Sequence, residues 1–248
     1  MSRRRFYAQP TDISGTLVTL SSEETHHLVH VLRSKPGEQI FVFDGCGNEY
    51  HCSFLAEKGS RAELKIIVPL GDAVESPIRL TLAQSLAKSD KFDLIVQKAT
   101  ELGVSRIIPV TAEHADVRLG RDQGDKRLHR WRRISLEALK QCGRRRLVEI
   151  SAPMTLDRLT AEEDPGVILV FSEKGGVSIA GALRRAGTPT DICALIGPEG
   201  GWSDAELALL KRRGAIAVAL GPRILRTETA AIVAITLVQH WRGDLSSR

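Results

Sequence analysis

No apolar run in this chain reaches the roughly 18 residues or more of a membrane-spanning helix, so no transmembrane segment is expected. The basic start Met1-Ser2-Arg3-Arg4-Arg5-Phe6-Tyr7 is followed by no apolar h-region. It does not read as a secretory signal, and a cytoplasmic location is expected. The four cysteines, Cys46, Cys52, Cys142 and Cys193, form no CxxC pair and no regular spacing. Reduced thiols in a cytosolic protein fit that pattern, and a zinc site does not. No GxGxxG follows any strand-like run, which leaves a Rossmann dinucleotide fingerprint without support. A GxxxxGK[ST] phosphate loop is missing, and no nucleophile elbow recommends Ser-His-Asp catalysis. His26 and His30 stand four apart, with His27 beside the first. No Glu lies where a metalloprotease needs it and no third ligand is in sight, so no metal is expected.

What remains describes an ordinary globular chain of 248 residues, 42% hydrophobic and 26% charged. One large or two modest domains fit that length. The net charge of +5 (35 basic against 30 acidic residues) is unevenly spread. Arg3 to Arg5 open the chain; Arg127, Arg130, Arg132 and Arg133 lie close together; Arg144, Arg145 and Arg146 follow. A single cluster is as consistent with a solvated helix face as with a binding surface. Three clusters favour RNA or DNA, because arginines neutralise phosphates and release counterions.

The hydrophobic period divides the chain. Up to about residue 70 it is mostly strand-like: Gly15–Leu20, Gln39–Phe43, Glu49–Leu55 and Arg61–Val68, with a helical stretch over Ser22–Leu32. The Gly-rich Asp44-Gly45-Cys46-Gly47-Asn48 suits a hairpin turn. Several short strands in so few residues predict a small barrel. Gly71–Pro77 has linker composition, and domains over 1–72 and 73–248 are expected. Beyond it strands alternate with helices, the pattern of an α/β fold with a mainly parallel sheet. Strands are expected at Ile78–Ala83, Val104–Val110, Val167–Phe171, Ile192–Ile196 and Ala215–Leu220. The Lys91–Leu102 helix puts Phe92, Ile95, Val96, Ala99 and Leu102 on one face, and Gly103 ends it. A basic helix is expected over Arg127–Gln141.

Two similar turns near the end carry most of the functional information. Leu195-Ile196-Gly197-Pro198-Glu199-Gly200-Gly201-Trp202-Ser203 and Leu220-Gly221-Pro222-Arg223-Ile224-Leu225-Arg226-Thr227-Glu228-Thr229 each follow an apolar strand and precede a helix. Such turns lie at one edge of a parallel sheet, where α/β proteins bind small ligands. In the first, the glycines leave main-chain groups uncovered. Ser203-Asp204-Ala205-Glu206 has the capping-box pattern, so a helix starts just after. The second leads into an almost wholly apolar helix, Ala230–Trp241, that must be buried or form half of a dimer interface. Arg226 and Glu228 at its mouth need partners, either each other in a structural ion pair or a bound ligand.

These two turns resemble the signature of the SPOUT-class 16S ribosomal RNA methyltransferases that form N3-methyluridine, the small-subunit methyltransferase E family. Further segments resemble the same family: His27-Leu28-Val29-His30-Val31-Leu32-Arg33, Gln97-Lys98-Ala99-Thr100-Glu101-Leu102-Gly103-Val104, and Glu137-Ala138 with Gln141-Cys142-Gly143-Arg144. The resemblance runs over nearly the whole chain. His114 stands where an Arg is common, and Leu147-Val148 where a Pro is usual.

The resemblance implies an α/β fold with a trefoil-knotted parallel sheet behind a small PUA-like β-barrel. It implies S-adenosylmethionine as methyl donor, a homodimer formed through the knotted domain, and 16S rRNA or the 30S subunit as partner, with no membrane or metal. The donor site would be Phe171, Ser172 and Glu173 at one strand end, Ile196, Gly197, Pro198, Glu199, Gly200 and Gly201 in the first turn, and Leu220, Gly221, Ile224, Leu225 and Thr229 in the second. Arg226 and Glu228 would carry the chemistry, Arg226 stabilising a uridine anion and Glu228 acting as base or as orienter of the Arg. Arg3, Arg4, Arg5 and Arg33 would position RNA phosphates. A non-catalytic rRNA-binding assembly factor, a knotted methyltransferase acting on ribose 2′-OH or tRNA, and an unrelated nucleotide-binding enzyme stay open as alternatives.

Overall fold

Near residue 78 the alternation of strand with strand gives way to strand with helix, and a different sheet is built on each side of that change. The computed structural model describes residues 4–71, 75–117, 121–162 and 166–246. They fall into two units, one of Met1–Glu75 with Leu139–Leu147, the other of Ser76–Ala138 with Val148–Arg248.

In the first unit β1 (Arg5–Tyr7), β2 (Ile13–Ser14), β3 (Leu17–Thr19), β4 (Gln39–Phe43), β5 (Glu49–Lys58) and β6 (Arg61–Pro69) form a curled six-stranded sheet in the order β1-β4-β5-β6-β3-β2. All neighbours are antiparallel except β1 with β4. Alternate residues turn inward, so Phe6, Val18, Ile40, Val42, Phe54 and Leu64 share one core with Leu28. The hairpin turn expected at 44–48 is present: the Asp44 carboxylate accepts from the backbone N–H of Cys46 (2.7 Å) and of Asn48 (3.1 Å). The helical stretch is α1 (Ser22–His26), N-capped by the Ser21 hydroxyl, widening into a π-helical turn over His27–Val31.

Three of the clustered arginines have a different role from the expected one. Arg5 is buried; its Nε donates to Glu49 Oε1 (2.6 Å), and its other nitrogens donate to the carbonyls of Leu139 (2.6 Å) and Arg144 (3.0 Å). Arg145 Nε meets the other oxygen of Glu49 at 3.0 Å, and Arg144 pairs with Glu75 at 2.8 Å. Arg5 as a phosphate contact is therefore corrected, as is the nucleic-acid reading of Arg144 and Arg145: all three are internal ion-pair residues that sew the segment 139–147 to the N-terminal sheet. Arg3 lies outside the described residues. Arg4 is exposed but donates to Ser34 Oγ at 3.1 Å and pairs with Glu38. Arg33 is exposed, in the left-handed backbone region at φ 54°.

The second unit has a seven-stranded, wholly parallel sheet. Its strands are β7 (Arg79–Ser85), β8 (Arg106–Thr111), β9 (Glu149–Ile150), β10 (Met154–Thr155), β11 (Val167–Phe171), β12 (Asp191–Ile196) and β13 (Ile216–Val218). They run in the order β10-β8-β7-β12-β11-β13, with β9 also on β8. The helices are α2 (Ser89–Glu101), α3 (Arg121–Cys142), α4 (Leu156–Glu162), α5 (Ile179–Arg185), α6 (Asp204–Arg212) and α7 (Thr227–Arg242). The apolar face of α2 (Phe92, Ile95, Val96, Ala99) packs with Ala231, Ala234, Ile235 and Val238 of α7. On the opposite face α4 and α6 cover Ile108, Val170 and Leu195. The capping box that starts α6 is complete, with the Ser203 hydroxyl accepting from Glu206 N–H and the Glu206 carboxylate from Ser203 N–H. The short α4 and α5 and the two-residue strands carry too few residues to register a period.

One connection governs the site. After β13, at the sheet edge, the chain doubles back across the ends of β11 and β12. It enters α7 where Thr227 bonds Gly197, just past β12, and Gln84 of β7. This is the course that a SPOUT-type trefoil requires.

Replacing Glu49 by Gln strips two buried guanidinium groups of their counter-charge. Breaking a buried pair from one side costs about 3–5 kcal/mol. A Glu49→Gln variant is expected to unfold at lower denaturant in the first unit, followed by the near-ultraviolet signal of Tyr7 and Tyr50.

Candidate functional site

The carboxyl ends of β11, β12 and β13 lie side by side, so the three segments that follow meet at one edge of the sheet. Between them is a cleft of about 560 Å³. Its first wall is Phe171, Ser172 and Glu173; its second Ile196 through Gly200; its third Leu220 through Thr227, with Ala230 behind. The sequence-derived donor residues thus come together, with two exceptions. Gly201 lies just outside the lining, and Thr229 is exposed on the first turn of α7 and does not line the cleft. Of the two residues assigned chemistry, Arg226 lines the cleft and Glu228 does not. Glu228 is half-buried, and its Oε2 is fully buried with no hydrogen-bond partner.

The walls are fastened to one another. Trp202, almost wholly buried, donates its indole N–H to the Phe171 carbonyl at 3.2 Å, which ties the first Gly-Pro turn to the end of β11. Gly201 has φ 72° and its N–H bonds the Pro198 carbonyl at 3.0 Å. That left-handed backbone favours glycine, and a Cβ there would also displace the Glu173 carboxylate, whose Oε1 would lie 2.2 Å away. His114 supports the turn from below: its Nδ1 is 3.3 Å from the Gly201 carbonyl, a bond in which the ring N–H must donate. The unusual His is therefore part of the floor of this turn. The Thr227 hydroxyl donates to the Gly197 carbonyl and accepts from Gln84 Nε2, both at 2.9 Å, and so joins both turns to β7.

A residue the sequence reasoning missed closes the mouth. Lys91, in the first turn of α2, lines the cleft and pairs with Glu199. That bond, with the Glu199 and Glu228 charges, holds the ammonium above its ordinary pKa; the same bond, with the charges of Lys91, Lys88 and Arg226, holds the Glu199 carboxyl below its own. Nothing in the sequence marks this pair, because the partners stand 108 positions apart. The site combines apolar walls (Phe171, Ile196, Leu220, Leu225) with uncovered main-chain groups and a charged rim of Lys91, Glu199, Arg223 and Arg226. Such a cleft suits a flat heteroaromatic ligand with a polar, charged end.

Removing the Thr227 hydroxyl without changing side-chain shape leaves the Gly197 carbonyl and the Gln84 amide short of a partner. That costs about 1–3 kcal/mol. A Thr227→Val variant should show this loss in urea denaturation, together with weaker binding of any ligand held by the first turn.

The RNA methyltransferase domain family matches residues 74–239, and the RNA methyltransferase PUA domain family matches residues 20–67. Ribosomal RNA small subunit methyltransferase E of Bacillus subtilis is 31% identical over 236 residues, 91% of this chain and 92% of the relative. The protein of that name from Mycobacterium bovis is 34% identical over 98% of this chain and 92% of its own. Among solved structures, a methyltransferase from Legionella pneumophila with bound SAM superposes with a TM-score of 0.91 at 34% identity, covering 99% of this chain and 100% of the other. The Neisseria gonorrhoeae ribosomal RNA small subunit methyltransferase E bound to S-adenosyl methionine gives 0.88 at 34%, covering 98% and 100%. With its curled PUA-type sheet and its SPOUT-type parallel sheet, the chain belongs to the ribosomal RNA small subunit methyltransferase E family.

Proposed function

We propose that this protein transfers a methyl group from S-adenosylmethionine to N3 of a specific uridine in 16S rRNA. The observation that carries the reading is the cleft at the ends of β11, β12 and β13, built from the very turns that mark the family. Its fit to the donor rests on three features. The walls at Phe171, Ile196, Leu220 and Leu225 suit an adenine ring. The main chain at Gly200 and Gly221 is exposed and can hydrogen-bond the ring edge. The volume is in the range of small-molecule sites. When bound, the donor supplies an electrophilic methyl on a sulfonium.

The chain's own residues must then handle the proton and charge of uridine N3. Arg226, exposed at the rim, is assigned the cation that stabilises the uridine anion. Glu228 does not face the cleft, so of the two roles open to it, orienting Arg226 and its neighbours fits better than direct proton removal. Arg4 and Arg33 are assigned to RNA phosphates. Among the described residues no helix is long and apolar enough to cross a membrane, and no cluster of three metal-binding side chains occurs. On α7, Val233, Leu237 and Trp241 recur at helical spacing as partly exposed apolar residues, and we assign this stripe to a homodimer interface.

Deleting the gene should remove a single N3-methyluridine from digested 16S rRNA in mass spectrometry. Arg226→Ala should bind S-adenosylmethionine in calorimetry nearly as the parent does, yet transfer methyl roughly 10²-fold more slowly. Normal transfer by that variant would overturn the role of Arg226. Trp241→Glu should shift the sedimenting species from dimer to monomer.

A further inference from the structure

Lys91 has no part in the donor cleft as the sequence describes it, yet it lines that cleft. It projects from the first turn of α2, its side chain is 23% exposed, and it lines the same cleft as Arg226. Its ion pair with Glu199 fixes the ammonium at the first Gly-Pro turn, on the rim to which the second turn brings Arg226. An ammonium has three donors, and the bond to Glu199 engages one of them.

The chemistry at that rim calls for more than one cation. Loss of the N3 proton leaves a uracil anion whose charge is spread over N3 and the carbonyl oxygens on either side, O2 and O4. One cation reaches one of those oxygens well. We propose that Lys91 is a second catalytic cation of the methyl-transfer site, donating to one uracil carbonyl oxygen while Arg226 serves the other. The inference rests on the uridine-N3 reading above. In the step it assists, the N3–H bond breaks and the proton leaves to solvent. The N3 electron pair then forms the N3–methyl bond as the methyl–sulfur bond breaks, and that bonding pair stays on sulfur, which becomes a neutral thioether. Lys91 and Arg226 meet the anion between the two events and are unchanged at the end. Glu199 then acts as the positioning residue for Lys91, holding it protonated and at the rim.

A uridine that gives up its N3 proton more easily needs this help less. Fluorine at C5 withdraws electrons and acidifies N3–H. The test uses small ribosomal subunits from cells lacking the enzyme, grown with 5-fluorouracil so that the target position carries a mixture of uridine and 5-fluorouridine. Parent, Lys91→Met and Lys91→Arg proteins methylate the same preparation, and mass spectrometry reads both methylated nucleosides in one digest. Calorimetry measures donor affinity, and thermal unfolding checks the fold.

Lys91→Met is expected to slow methylation of uridine roughly 10²-fold. Its donor affinity and melting temperature should stay near the parent's, and its ratio of fluorinated to ordinary product should rise several-fold. Lys91→Arg should restore much of the rate and bring the ratio back toward the parent value. An unchanged ratio in Lys91→Met, whether or not rate, donor affinity or melting temperature falls, overturns the proposal and leaves Lys91 as a tether of the first turn. Absence of methylation by the parent itself, or of donor binding by it, would instead overturn the uridine-N3 reading.

Discussion

The hydroxyl of Thr227 holds the site together. It stands between the Gly197 carbonyl and the Gln84 amide, at 2.9 Å from each. Through it the start of the last helix is bound to the turn after β12 and to the end of β7, in the interior of the sheet. The chain reaches this point only by doubling back from the edge strand β13. Remove the anchor and the segment 219–226, with both its apolar wall and its arginines, loses its tie to the first turn and to β7. Trp202 does the same for the neighbouring wall by fastening it to the carbonyl of Phe171. Both fastenings are made by side chains that are almost wholly buried, where each unmade partner is costly.

How much of this could be read in the amino-acid order depends on range. The alternation in β6, the apolar runs of β4 and β11, the amphipathic α2 and the capping box at Ser203 are all local patterns, and they place their elements to within a few residues. The two Gly-Pro turns were legible as a ligand edge for the same reason. What was not legible is what joins distant segments. Lys91 and Glu199 carry no mutual signal. β1 is three residues long and begins with an arginine, so it looked like part of a basic tail. The doubling back after β13 has no local trace, and its expectation came from resemblance alone.

Arginine was the most misleading residue type. A run of three beside Gly143 reads as a phosphate-binding patch, because nothing in sequence distinguishes a cation facing water from one facing a buried carboxylate. Glu49 and Glu75 make that distinction here: each sits far from its arginines along the chain and next to them in space. The net positive charge remains a fair indication of an anionic partner, though fewer of the cations that produce it are free to meet one.

The return of residues 139–147 to the N-terminal sheet has a practical consequence for anyone wishing to use either half alone. The two units are interleaved along the chain, so no single cut separates them. A fragment stopped at residue 72 would contain every strand of the first sheet but neither Arg144 nor Arg145. It would bury Glu49 with half its counter-charge and leave Arg5 without the carbonyls of Leu139 and Arg144. A workable excision must carry the 139–147 segment along, supplied as a fused or co-expressed peptide. In evolutionary terms the first unit is a poor candidate for shuffling as a cassette, since its last structural piece is encoded inside its neighbour.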